Sequence, residues 1–285
     1  MSTLSTVPVA LGDDVRDPAR RRRFTPLAVW LVGRRIAFPV VAACLMLLAW
    51  QVVVPLAHIS PLIIVPPSVV GRALVQDWPV LVEQAIPTLI DTVVGFLLAS
   101  CLGMALGGVV VLSHRVHQAL NPHVIFFQLI PKVALAPLFI VWLGVGPASR
   151  LAFAVFLGFF PMVVATSAGL LSAERNALRL CRSAGASRLQ TFVNVRLPYA
   201  VPHMFAGLKV AVTMAMIGVI VGEFVTAQQG LGYIIMFASS AGETAVVFAA
   251  IALLCAIGLV LYGMIGAAEW VVVRQLGVTI TSAEF

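Results

Sequence analysis

From Pro87 to Leu112 the chain carries one charged residue, Asp91, and from Ala245 to Ala268 it carries none. Runs of this kind constrain the fold more than any motif does. Each supplies the roughly 20 apolar residues that a helix needs to cross a ~30 Å hydrocarbon core. None shows the alternation of apolar and polar residues that marks the strands of an outer-membrane barrel. At 61% hydrophobic and 10% charged residues, with a mean hydropathy of +1.07, the 285-residue chain has too little charge to coat a soluble globule. It reads as an all-α integral membrane protein with about six transmembrane helices.

The expected spans are Ile36 to Ala57, Pro87 to Leu112, Pro122 to Leu143, Leu151 to Leu171, Phe205 to Val225 and Ala245 to Ala268. Around them the chain divides into a basic tail (1–35), the first helix (36–57), a segment on the opposite side (58–84), a core bundle (85–270) containing a loop (172–204), and a terminal tail (271–285). The arginines at 20–23 and 34–35 precede the first apolar run as in a signal peptide. That run is too long and has no small-residue cleavage site, so a retained anchor is expected. Lys and Arg crowd into the tail, the Ser113–Asn121 turn, the 172–204 loop and the C-terminus, whereas the other side has Arg72 and Arg150. The positive-inside rule therefore puts both termini and the long loop in the cytoplasm of a multi-pass inner-membrane protein. The net charge of +7 reflects topology, because the basic residues make no continuous stripe for nucleic acid. In the 58–84 segment, Pro66-Pro67-Ser68 marks a helix start, with Ser able to cap. Cys44, Cys101, Cys181 and Cys255 lack metal-like spacing, so neither a metal nor a disulfide is expected.

The long loop holds "RLCRSAGASR", Arg179 to Arg188, between two very apolar segments. Two short helices are expected, Ala177 to Ala184 and Ser187 to Val195, broken at Gly185 and stopped by Pro198. Glycine adopts a positive φ readily and Ser187 suits a helix cap. Leu178, Cys181 and Ala184 fall on one face while arginines line the rest, a pattern suited to a groove on a partner protein. The same residues also suit a solvated turn that only fixes topology.

The run "AGASRLQTFVNVRLPYAVPHMFAGLKVAV", Ala184 to Val212, resembles the cytoplasmic signature of ATP-binding-cassette importer permeases. That signature runs Glu-Ala-Ala, three residues, Gly, about nine residues, then an aliphatic residue, any residue, Leu-Pro. Gly185 matches its glycine and Val195 to Pro198 match its end. With "IPKVALAPLFIVWLGVGPASR" (Ile130 to Arg150) and "VGEFVTAQQGLGYIIM" (Val221 to Met236), the similarity covers about Pro66 to Glu269. It points to the nitrate, sulfonate and taurine branch, which also includes transporters of vitamin precursors. Where the pattern has Glu-Ala-Ala, this chain has Arg179, Leu180 and Cys181.

The resemblance implies a permease subunit that forms the path for a small polar or anionic solute. It implies a second permease chain, as a homodimer, two cytoplasmic ATPases that bind ATP and Mg, and an extracytoplasmic binding protein that delivers the solute. This chain itself would bind no cofactor. It has no G-x-x-x-x-G-K-[ST] loop, and "GLKVA" at Gly207 lacks the first glycine and the hydroxyl residue that loop requires. By the resemblance, Arg179, Cys181, Arg182, Ala184, Gly185, Ala186, Ser187, Arg188 and Pro198 form the element that couples to the ATPase.

Polar residues inside the spans are the candidates for the path, because a charge near mid-bilayer must face protein or water. Asp91, Lys132 and Glu223 qualify, with Gln128 one turn before Lys132. Structural alternatives remain for each: interfacial depth for Asp91 and Glu223, and a carboxylate partner for Lys132. "QQGLGY", Gln228 to Tyr233, suggests a tight gate-like turn beside Glu223. Gly95, Ala99, Gly103 and Gly107 recur at four-residue spacing and suit close helix packing. A membrane enzyme is disfavoured because no HExxH, GxSxG or paired-carboxylate set occurs. A secondary transporter working without an ATPase remains the alternative, with few intramembrane acids and no visible internal repeat to favour it.

Overall fold

The computed structural model describes residues 26–112, 118–119, 122–123, 126–127, 129–226 and 228–276. Gln128 and both terminal tails lie outside the described residues, the tails as far as 25 and from 277. The described residues are helical, with no strand among them, as lipid requires of a chain whose backbone N–H and C=O groups find no water to pair with.

Ten α-helices are described: α1 (Pro26–Leu56), α2 (Pro67–Gln76), α3 (Trp78–Leu112), α4 (Ala136–Leu143), α5 (Pro147–Leu171), α6 (Arg175–Ser183), α7 (Arg188–Thr191), α8 (Leu197–Thr226), α9 (Leu231–Ala241) and α10 (Thr244–Leu276). The chain forms two units, one ending at Val53 and one beginning at Val54. The first unit is most of α1, an apolar helix long enough to span. In the second, α5 packs along both α3 and α8, while α10 lies against α8, α9 and α2.

Five described helices are long and apolar enough to cross a membrane. The third apolar stretch, Pro122 to Leu143, is only partly described. Its described part holds helical residues at 122–123, 126–127 and 129, then a 3₁₀ turn (Lys132–Leu135) after Pro131, followed by the eight-residue α4. Pro131 and Pro137 lack the N–H that an uninterrupted helix needs.

Other boundaries differ from the sequence reading for related reasons. α3 begins at Trp78 and carries Pro87 inside it, and α8 carries Pro202. Membrane helices tolerate internal proline because neighbouring groups re-satisfy the freed carbonyl. Pro198 does not stop the chain either: a π-turn (Phe192–Arg196) leads directly into α8, with Leu197 N–H donating to the Phe192 carbonyl. The wider turn absorbs the donor that proline lacks. α2 starts at Pro67 with Pro66 at its cap, so Ser68 is the second helical residue and not the cap.

The core is built from small residues. Ala99, Ala154, Ala211 and Ala215 are fully buried. A Cβ on Gly103 would lie 2.6 Å from Met162 Cβ, one on Gly107 2.7 Å from Thr166 Cβ, and one on Gly95 2.9 Å from Ala154 Cβ. Ala99 Cβ sits 3.0 Å from where Gly158 would carry one. These four α3 positions are therefore the seam against α5, where backbone approach substitutes for a hydrophobic driving force.

Candidate functional site

At the end of the bundle where α3 begins, four elements meet through polar groups. Gln84, Thr88 and Asp91 lie on one face of α3, spaced four and three residues apart. Glu223, near the end of α8, is fully buried. The Thr88 hydroxyl donates to Glu223 Oε1 at 2.7 Å, and the Gly232 N–H donates to Oε2 at 2.7 Å. The Gly230 N–H donates to Gln84 Oε1 at 2.8 Å, and the Leu231 N–H to Thr88 Oγ1 at 2.9 Å. All three amide donors at the start of α9 are thus held by side chains of α3 and α8. Gly230, at φ +108°, lies so close to the Glu223 carboxylate that no side chain fits there.

Asp91 is one turn further along α3. Its Oδ2 accepts from Arg150 Nε at 3.1 Å and lies 3.1 Å from a terminal guanidinium nitrogen. Arg150 is only 3% exposed and sits in the first turn of α5, so it is part of the bundle and not of an open loop. Gly222 gives it room, since a Cβ there would come within 3.0 Å of Arg150 Cγ. At Glu223 the Arg150 charge is attractive and the Asp91 charge repulsive. This polar lock joins α3, α5, α8 and α9.

Lys132 is separate from it. It opens the 3₁₀ turn, and its ammonium lies 5.4 Å from the centroid of the Phe160 ring. Phe160 is the fourteenth of the 25 residues of α5, about 20 Å from the helix start at 1.5 Å per residue. The ion pairs among the described residues are Asp91–Arg150 and Lys209–Glu269, and neither involves Lys132. The carboxylate partner considered from sequence is therefore not found there. Lys132 instead rests on an aromatic face, a favourable place for a cation.

At the opposite end, α6 ends at Ser183 and Gly185 turns the chain at φ +74°. Ser187 and Gln190 then form a reciprocal capping box: Gln190 N–H donates to Ser187 Oγ at 3.2 Å and Ser187 N–H to Gln190 Oε1 at 2.8 Å. Cys181 and Ala186 are half-buried, while Arg179, Arg182, Ala184, Gly185, Ser187 and Arg188 are exposed. Leu180 and Leu189 are also open, at 70% and 72% exposure, which sequence spacing did not single out. Pro198 is half-buried at the start of α8.

Asp91 and Glu223 are thus brought together with three residues that sequence reasoning missed: Gln84, Thr88 and Arg150. Lys132 is not brought to them. The polar spacing along α3 was a usable signal for Gln84 and Thr88. Arg150 left none, because its partner is fifty-nine residues away.

Helices long and apolar enough to span, with a buried polar lock at one end of the bundle, a short helix pair exposed at the other and a lysine beside the middle of α5, make up a multi-pass membrane component. Residues 99–269, more than half of the chain, match the family described as binding-protein-dependent transport system inner membrane component, and the chain belongs to that family. It is an integral membrane permease. A probable ABC transporter permease protein of Haemophilus influenzae is 32% identical over 240 residues, covering 84% of this chain and 97% of the relative. The riboflavin transport system permease protein of Chloroflexus aurantiacus is 33% identical over 236 residues, covering 82% and 88%. Among solved structures, the inward-facing MetNI methionine ABC transporter matches with a TM-score of 0.59 at 21% identity, over 70% of this chain and 98% of that one, a likeness of fold.

Proposed function

We propose that this permease works as one of a pair of identical chains, driven by two cytoplasmic ATPases that bind ATP and Mg, and supplied from outside by a binding protein. The observation that carries this is the helix pair around Gly185. Two short helices set at a fixed angle by a positive-φ glycine and a capping box, with Leu180 and Leu189 bare among Arg179, Arg182 and Arg188, make a rigid plug for a partner's groove. A rigid element with two positions transmits nucleotide-driven closure into α5 and α8, which flank it in the chain. The arginine distribution supports a cytoplasmic position for this end and for both termini.

Lys132 faces the path. A cation some 20 Å along a spanning helix, without a carboxylate partner among the described residues, needs protein or water around it and attracts an anionic or strongly polar solute. Relatives named as permeases for riboflavin, formylaminopyrimidine, taurine and nitrate support a small polar or anionic cargo. Glu223 and Asp91 work at the outer end, seating α9 as a gate. Gln128, one turn before Lys132 in sequence, contributes hydrogen bonds to the solute.

Reconstitution tests the reading. Proteoliposomes holding the permease, its ATPase and the binding protein should accumulate solute only when ATP is enclosed on the ATPase side. Uptake by the permease alone, driven by an ion gradient, would instead identify a secondary transporter.

A further inference from the structure

The surroundings of Lys132 specify more than charge. Phe127 stacks on Phe160, with ring centroids 5.6 Å apart and planes inclined by 22°, and it keeps 41% of its surface open. Phe156 meets Phe160 edge-on at 5.3 Å, and Phe139 packs on Phe156 at 5.4 Å. The four rings brace one another into a wall, and the Lys132 ammonium sits against it through Phe160. Mutual contacts of this kind fix ring orientation, since edge-on and offset arrangements are the favoured ones.

An ammonium alone attracts any anion equally well at a given distance. A tetrahedral or aliphatic anion would gain the charge and little from the wall. A flat conjugated ring with a negative or carbonyl-oxygen edge can gain both, because Phe127 and the Lys132 ammonium rest on the same ring, Phe160. Lys132 is half-buried and has no carboxylate beside it among the described residues, so its charge is available to a solute that comes to it.

We infer that Lys132 and the Phe127–Phe160 pair form a selective site for a flat, conjugated ring bearing an anionic or carbonyl-oxygen edge, in preference to an aliphatic anion of the same charge. This rests on the reading of Lys132 as facing the path. Benzenesulfonate and cyclohexanesulfonate, which share a head group and are close in size, test it by calorimetric titration of the purified importer complex.

Benzenesulfonate should bind about five- to tenfold more tightly, as stacking on an aromatic face predicts. Phe127→Leu should weaken benzenesulfonate to the level of cyclohexanesulfonate and leave the latter unchanged, whereas Lys132→Met should weaken both. Equal affinities, a preference for cyclohexanesulfonate, a preference that survives Phe127→Leu, or no binding of either probe overturns the inference. Solute uptake separates the two levels. If Lys132→Met still abolishes uptake, only the ring preference falls; if uptake is unaffected, the path reading falls with it.

Discussion

Removing the Glu223 carboxylate should release the start of α9. Glu223 accepts from Thr88 and Gly232, both at 2.7 Å and both in a fully buried setting. In Glu223→Ala the Thr88 hydroxyl turns to the Gln84 carbonyl at 3.4 Å, a weak substitute, and the Gly232 N–H is left without a partner. An orphaned buried donor costs about 1–3 kcal/mol, and the lost Thr88 hydrogen bond about 1 kcal/mol more. Admitting water to the vacated space lowers the sum, so about 3 kcal/mol of local destabilisation is expected. At about 1.4 kcal/mol per tenfold, that is roughly a hundredfold more frequent opening. Glu223→Gln keeps the shape and one acceptor, and should cost about 1 kcal/mol, or roughly fivefold. Hydrogen exchange of peptides covering Gly230 to Gly232 in the purified complex reads these values directly, because local opening governs exchange there. Exchange in Glu223→Ala within twofold of the parent would refute the claim that this carboxylate seats α9.

The same logic extends to the ion pair. Asp91→Ala leaves the Arg150 guanidinium buried without its ion-pair partner, so about 3 kcal/mol should be lost in unfolding of the solubilised protein, and the double variant Asp91→Leu with Arg150→Met should recover most of it. A single variant as stable as the parent would show that water already serves the arginine. Gly185→Val forces a β-branched residue to φ +74° at a cost of about 1–2 kcal/mol and misdirects α6. Complexes should still co-purify, with ATP hydrolysis no longer stimulated by the loaded binding protein; normal stimulation would remove the hinge from the account. Arg179, exposed on α6, should meet a carboxylate on the ATPase, so Arg179→Glu should weaken co-purification and a reversed charge on the ATPase should restore it. An indifferent Arg179→Glu would place the side chain in solvent.

Much of this was legible in the chain itself. Apolar length gave the membrane class, and the Gly185 break and Ser187 cap are local chemistry, visible wherever a glycine and a serine flank a basic helix. Proline misled most. Pro87 and Pro198 read as boundaries, yet both lie inside continuous helical paths, because in a bundle the neighbouring helix or a π-turn supplies what the ring removes. The polar lock was half visible. Asp91 and Glu223 stand out as charges in apolar runs, but their partners are Arg150, Thr88 and the Gly232 amide, contacts made across separations that no local pattern encodes. Lys132 was visible as a charge, whereas its seat on Phe160 depends on how the 3₁₀ turn sets it against α5.

The central claim is that the solute passes through this chain, beside Lys132. Lys132→Met keeps the stem and deletes the charge, so ATP-driven uptake in proteoliposomes is the direct measurement. Uptake should fall by at least tenfold, the loss expected when a charged contact worth about 1.4 kcal/mol or more is removed, while permease and ATPase still co-purify. Uptake at the parental rate with unchanged dependence on solute concentration would contradict the account and move the path to another face of the bundle.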